Sequence, residues 1–275
     1  MSEERDLLLQ QKYGHSPKEG SSDLPWSPTL SLLLRHTSVR SFLPDALPAG
    51  TLEILIAAGQ SASTSSMLQS WSAVAITDPA RKDAVATLAG DQDFIRQAPL
   101  FILFCADLSR LDKISKRLQK PGLALQKMDS FLMATIDATL AAQNMAIAAE
   151  SLGLGMCYVG AARNNAAQLT ELLNLPPRAV AIFGMSVGKS DPESLNTVKP
   201  RLPIDEVLHR EVWNDEGQEE RVSSYDKALN SFYESQNKLN REPWSSFAAS
   251  AMASENLDGR ERLRGVLDAQ GFGFS

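Results

Sequence analysis

From about Gln126 to Leu152 the chain carries a stretch rich in Ala and Met, helical in spacing and apolar on nearly every face. A helix of that kind is expected to be enclosed by other elements rather than laid on a surface. At about 1.5 Å per residue it would run roughly 40 Å, so the fold has to be wide enough to cover it. Material for a covered sheet lies on both sides. LFILFCAD, Leu100 to Asp107, is a continuous apolar run that suits a strand buried on both faces. Strands are also expected over Trp71 to Thr77, in GMCYVG (Gly155 to Gly160) and from Arg178 to Gly188.

Local signals place the surrounding helices. Ser27-Pro28 gives an N-cap and a first-turn proline for a helix through SLLLRH, and apolar residues recur at helical spacing from Leu47 to Gln60. Further helices are expected after Asp78-Pro79, over NNAAQLTELLN, near Tyr225 to Lys238 and near Leu257 to Gln270. The order is mixed α and β without an internal repeat.

Composition narrows the class. Among 275 residues, 43% are hydrophobic and 22% charged, as in a globular protein. A net charge of -6 argues against a nonspecific nucleic-acid surface, which needs a basic face. The start, MSEERDLLLQQKYG, lacks the basic-then-apolar order of a signal peptide, and no uninterrupted apolar run reaches the length of a membrane span. A cytoplasmic protein with no membrane partner is the expectation. Cys105 and Cys157 sit in apolar strand-like runs and read as buried thiols. HSPKEGSSD marks a flexible extension before the core, and the stretch after Pro203 turns polar and acidic.

Motifs for familiar chemistries fail one by one. Gly184-Met185-Ser186-Val187-Gly188 matches the serine-hydrolase pattern, and His209 follows downstream. A nucleophile elbow needs a helix directly after the serine, and KSDPESLNTVKPRLP has too many breakers for one. Ser186 therefore reads as a strand residue. GLGMCYVG follows a helix rather than a strand, which excludes a dinucleotide fingerprint. His15, His36 and His209 show no metal-ligand spacing.

What remains is a set of polar clusters at segment ends: Arg35 to Arg40, Ser63 to Ser66, Gly90-Asp91-Gln92, Tyr158 to Ala161, and Lys199-Pro200-Arg201. Together they supply cations, hydroxyls and backbone amides suited to a phosphate-bearing cofactor. For Arg35 to Arg40 the plainer reading, cations complementing a helix C-terminus, carries equal weight.

RHTSVRSF, SASTSSMLQSWS, AGDQDF, LFILFCADLSR, AAQNMAIAAESLGLGMCYVGAARNN and FGMSVG…KPRLP occur in this order. In this the chain, from about Leu32 to Trp244, resembles the oxygen-insensitive NAD(P)H nitroreductase and flavin reductase family, in particular its NADPH-FMN oxidoreductases. The resemblance implies an α+β fold with a central mixed sheet, a long buried helix, and a homodimer with FMN sites at the subunit interface. It implies ping-pong hydride transfer from NADPH or NADH through FMN to small planar acceptors: nitroaromatics, quinones or free flavin. No catalytic side chain is then required, because the cofactor carries the hydride.

Position by position, the resemblance assigns His36, Thr37, Ser38 and Arg40, with Lys199 and Arg201, to the FMN phosphate and ribityl end. Thr64 and Ser66 would contact the flavin across the interface, and Gln92 the polar edge of the ring. The turn of Tyr158, Gly160 and Ala161 would present backbone N–H groups near its reactive nitrogen. The chain departs from the family twice. Ala161 stands where the family has a second turn glycine, and Gln236 stands where the subgroup has an arginine for the NADPH 2′-phosphate, with Lys238 and Arg241 nearby. The donor is left open between NADPH and NADH. The implied organisation is an N-terminal extension over 1–26, an FMN-binding core over 27–203, and appended helices with dimer contacts over 204–275. The alternatives are an FMN storage or sensor protein and, below it, a hydrolase using Ser186.

Overall fold

The computed structural model describes residues 2–14, 24–194, 196–238 and 240–274. In chain order the elements are α1 (Ser2–Tyr13), α2 (Pro28–Leu34), α3 (Thr51–Gln60), β1 (Trp71–Ile76), α4 (Pro79–Leu88), α5 (Asp93–Gln97) and β2 (Leu100–Asp107). There follow α6 (Ser109–Arg117), α7 (Met128–Ser151), β3 (Gly155–Val159), α8 (Ala166–Leu172) and β4 (Ala179–Gly188). The last are α9 (Ile204–Val207), α10 (Gln218–Ser235), α11 (Trp244–Ala253) and α12 (Leu263–Ala269). The chain divides into two compact units, one of residues 1–37 and 196–255, the other of residues 38–195 and 256–275.

The second unit is built on a four-stranded sheet in the order β1-β2-β4-β3. Its neighbouring strands are all antiparallel, so the expected mixed sheet is corrected. The parallel pairing is an isolated bridge from Ser38 to Met156 on β3. Every residue of β2 is buried, as its apolar run requires. Because strand side chains alternate, Leu100, Ile102, Phe104 and Ala106 enter one apolar cluster, with the α7 alanines. Phe101, Leu103 and Cys105 enter the other, with Val85, Ile95 and Leu169. An antiparallel sheet covered on both faces produces the same unbroken apolar strand as a parallel one.

Helix α7 differs from the sequence expectation in one respect. Ala134, Ala138, Ala141, Ala142 and Met145 are buried in the core cluster. Leu132, Ile136 and Leu140, spaced four apart, remain 45%, 56% and 43% exposed. The helix is thus enclosed on its alanine side and open on its leucine and isoleucine side. It is long and apolar enough to cross a membrane by composition, but its alanine side is packed in this core.

Residues 256–275 belong to this unit and not to an appended set. Leu267 and Phe272 are buried in the core, and the Arg178 N–H donates to the Gln270 carbonyl at 2.7 Å.

The first unit holds α1, α2, α9, α10 and α11. The expected flexible extension over 1–26 contains helix α1, in which Arg5 and Leu8 are buried. The Ser31 hydroxyl donates to Glu4 at 2.6 Å, and the Arg201 N–H donates to the Lys12 carbonyl at 2.7 Å. Acidic residues in its first turn and Lys12 in its last suit the helix dipole. HSPKEGSSD lies outside the described residues. Helix α11 was missed because its cap comes from another helix. Asp226 of α10 accepts the Ser245 N–H at 3.0 Å and the Ser245 hydroxyl at 2.5 Å.

Candidate functional site

In the sheet unit, two turns meet. Gly90 takes the left-handed conformation at φ +81°, and a Cβ built on it would lie 3.3 Å from Ala161 Cβ, 3.6 Å from Gln92 Nε2 and 3.7 Å from Asn164 Nδ2. Gln92, at the N-cap of α5, donates from Nε2 to the Ala89 carbonyl at 2.8 Å, which leaves its side-chain oxygen unclaimed by that bond. The opposing turn, Gly160 to Arg163, follows β3 directly. Gly160 has no positive φ, and a Cβ there would touch only Arg163 Nη2, at 3.6 Å. Among the described residues, neither conformation nor internal packing requires a glycine at 160. Among the described residues, the buried Asn164 Oδ1 has no hydrogen-bond partner.

At the sheet edge, the Val39 N–H donates to the Met156 carbonyl at 2.9 Å and so fixes Ser38 and Arg40 beside β3. The exposed Arg40 guanidinium lies 6.0 Å from the Phe94 ring centroid, next to the Gln92 turn. The Tyr158 ring packs edge-on against Phe183 at 5.6 Å, and burial followed by the nearby Glu150 raises its hydroxyl pKa.

The segment carrying Thr64 and Ser66 is held by a buried carboxylate. Asp137, on α7, accepts the Ser65 N–H at 2.9 Å, the Ser70 N–H at 3.0 Å and the Ser70 hydroxyl at 2.8 Å. Between those anchors, Ser66, Met67 and Gln69 all adopt positive φ, a strained run for residues with side chains. Thr64 Oγ1 is buried without a partner, while Ser66 is exposed. Asp137 had no motif to announce it in the sequence.

The other unit carries His36, Thr37, Lys199 and Arg201. Among the described residues, the Arg201 guanidinium donates to main chain, the Lys199 carbonyl at 3.4 Å and the Pro200 carbonyl at 3.2 Å. Lys12 approaches it from α1, and burial followed by the Arg201 charge lowers the Lys12 pKa. A cavity of about 470 Å³ in this unit is lined by Lys199, Tyr225, Tyr233, Arg241, Trp244 and Phe247, among others. Lys199 Nζ and the Arg241 guanidinium lie 5.8 and 5.6 Å from the Tyr233 ring centroid. Gln236 caps the C-terminus of α10, half-buried and outside that lining.

The competing features close off. Ser186 lies within β4, fully buried and paired with Phe101 and Cys157 on the neighbouring strands, and is no nucleophile elbow. His209 is engaged with the Asn214 main chain and stacks on Trp213 at 4.0 Å. Both cysteines are free and buried; burial, then Asp107, pushes Cys105 up to about 12. Among the described residues, no group of His, Cys, Asp and Glu could hold a metal ion.

The sheet unit, with its central helix and polar turns, has an α+β architecture, and the comparisons supply its class. The nitroreductase family profile matches residues 33–189, and its C-terminal domain profile matches residues 199–275. The chain belongs to the nitroreductase family and is an enzyme, an oxidoreductase. An FMN reductase (NADPH) of Bacillus subtilis is 38% identical over 221 residues, 79% of this chain and 88% of the relative. An oxygen-insensitive NADPH nitroreductase of Salmonella typhimurium is 36% identical over 231 residues, 84% of this chain and 93% of the relative. The structure of NADPH:FMN oxidoreductase from Vibrio harveyi complexed with NAD+ superimposes with a TM-score of 0.80 at 32% identity, covering 90% of this chain and 99% of that one. That of NfrA1 from B. megaterium does so with a TM-score of 0.85 at 32% identity, with the same coverage.

Proposed function

We propose that the protein is an FMN-dependent NAD(P)H reductase of nitroaromatics, quinones or free flavin, working by a ping-pong cycle. The observation that carries the reading is Gly160, a glycine that nothing inside the protein demands, set in a turn opposite Gln92. The residues fit the cofactor: the unpartnered Thr64 Oγ1 and Asn164 Oδ1 offer polar contacts, and the cations supply charge for a phosphate. Names of the relatives, which include an FMN reductase and an NADPH-flavin oxidoreductase, support the same cofactor and donor.

In this reading His36, Thr37, Lys199 and Arg201 bind the phosphate end, with Ser38 and Arg40. Gln92 hydrogen-bonds the ring edge, while Thr64 and Ser66 reach it from the partner subunit. The Tyr158, Gly160 and Ala161 turn offers main-chain N–H groups to the ring; the Ala161 methyl leaves that donor in place. Bound FMN supplies the redox chemistry, two-electron exchange with donor and acceptor. The chain's own residues bind, orient and exclude water. Arg241, placed with Lys199 around Tyr233, takes the NADPH 2′-phosphate in place of the arginine replaced by Gln236. The open leucine and isoleucine stripe of α7 supports a homodimer, and we place the enzyme in the cytoplasm.

The test is the visible spectrum of protein incubated with FMN, desalted, then titrated anaerobically with NADPH and separately with NADH. Bleaching, more readily with NADPH, is the expected result. Bound flavin that resists both donors would favour storage or sensing, and no bound flavin would end the reading.

A further inference from the structure

Helix α5 has five residues, too few to hold itself in place, yet its N-cap is Gln92. Its position comes from α4, through one cation at each end. Lys82 of α4 is buried and donates from Nζ to the carbonyl of Ala98, the C-cap of α5, at 2.5 Å. From α5, Arg96 reaches back to α4, where Nε donates to Asp83 at 2.6 Å and Nη2 to the Thr87 hydroxyl at 3.0 Å. Its Nη1 donates to Asp93 at 3.1 Å, and Nη2 also donates to Asp91 at 2.5 Å. All three guanidinium nitrogens are in use, in a fork that a lysine could not reproduce.

A single exposed ion pair is worth little, but one arginine shared by Asp83, Asp91 and Asp93 is a network with a fixed geometry. Its bond to Asp91 bears on the turn. Gly90 and Asp91 take the left-handed conformation in succession, at φ +81° and +52°, and a residue with a side chain keeps that conformation only where its surroundings fix it. The Asp91 N–H donates to the Ala86 carbonyl at 2.9 Å while its carboxylate is held by Arg96, so main chain and side chain are both tied. Gln92 follows directly, with its side-chain amide donating to the Ala89 carbonyl at 2.8 Å. The opposing turn is close, since a Cβ on Gly90 would lie 3.3 Å from Ala161 Cβ.

We propose that Arg96 is a positioning residue for the flavin site: it fixes the Gly90-Asp91-Gln92 turn through Asp91 and so sets where the Gln92 side chain meets the ring. The inference rests on the reading of Gln92 as the residue at the polar edge of the flavin. Arg96 itself touches no ligand in this account.

Arg96→Gln is made in the wild type and in a Gln92→Ala background, and FMN affinity is measured by flavin fluorescence for each protein. Arg96→Gln is expected to weaken FMN binding about fivefold where Gln92 is present, and to add little where it is absent, because the two residues then act along one path. Equal losses in both backgrounds, the mark of a merely structural role, or no loss in either would overturn the proposal. Should Arg96→Gln fail to fold, Asp91→Asn takes its place and is read the same way; asparagine tolerates the left-handed conformation but removes the charge that Arg96 holds.

Amide exchange in ligand-free protein separates this inference from the flavin reading. Arg96→Gln should speed exchange of the Asp91 N–H while the amides of β2 keep their wild-type rates. An Asp91 amide that exchanges as in the wild type overturns the proposal whatever the flavin result. Faster exchange in a protein that binds no flavin supports the fixing of the turn by Arg96 and defeats the flavin reading alone.

Discussion

Asp137 on α7 accepts hydrogen bonds from both the main chain and the hydroxyl of Ser70, 67 residues earlier in the chain, at 3.0 and 2.8 Å. With the further bond from the Ser65 N–H, the carboxylate closes a short loop in which Ser66, Met67 and Gln69 sit at positive φ. Asp137→Asn keeps the shape but replaces one acceptor oxygen by a donor facing donors. The expected result is a loss of about 2–3 kcal/mol in denaturant unfolding, with weaker flavin binding because Thr64 and Ser66 are no longer held in place.

Gly184 marks the tightest packing in the sheet. A Cβ there would fall 2.2 Å from Phe101 Cζ, on a fully buried ring near the start of β2. Gly184→Ala therefore has to displace an aromatic side chain with no room to move, and about 2–3 kcal/mol of stability should be lost. Thermal unfolding of the variant checks this; a melting temperature equal to that of the wild type would contradict the packing.

Arg40 and Arg201 are each expected, in the proposed reading, to contribute to FMN affinity. Truncating either to alanine should weaken binding by about 1.5–3 kcal/mol, the scale of a contact to a charged group. Fluorescence titration with FMN and riboflavin gives the answer, since the loss should be confined to the phosphorylated ligand. Unchanged FMN affinity in both variants would defeat the phosphate assignment.

Lys12 also carries a pH signature. Its folded pKa is lowered from 10.5 by burial and by Arg201, so the charged form is penalised in the native state. The penalty on folding is fully present below the lowered pKa, and it is relieved as pH rises from there toward the unfolded value. Lys12→Met should accordingly stabilise ligand-free protein at neutral pH, with the advantage shrinking as pH approaches 10.5. Melting temperatures of the two proteins across that alkaline range test the sign.

The open face of α7 bears on assembly. Ile136, 56% exposed in the single chain, sits between Leu132 and Leu140 on the same helix face. Sedimentation should show a dimer for the wild type and dissociation toward monomer for Ile136→Glu, because a charge in an apolar interface is left unpaired. A variant that sediments as the wild type does would remove α7 from the interface.

Much of this protein was readable in the linear order of its residues. LFILFCAD became β2 at the expected residues, and Asp78-Pro79 opened α4, with Asp78 accepting the Arg81 N–H at 2.8 Å. Such features depend on periodicity, caps and breakers within a few positions, which is why sequence determines them. The strand directions were not legible, since an apolar strand covered on both faces looks the same whichever way its neighbours run. Nor was the sidedness of α7, whose alanine and leucine faces are both apolar; only packing decides which one the sheet covers.

The tertiary structure alone decided the rest. It joined Asp137 to Ser70, set Gly90 against Ala161, and brought Lys12 from a segment that read as an extension to the main chain of Arg201. Each pairing connects residues dozens or more positions apart. No local pattern encodes such a meeting, because it follows from how buried surfaces fit together and not from the conformational preference of either residue.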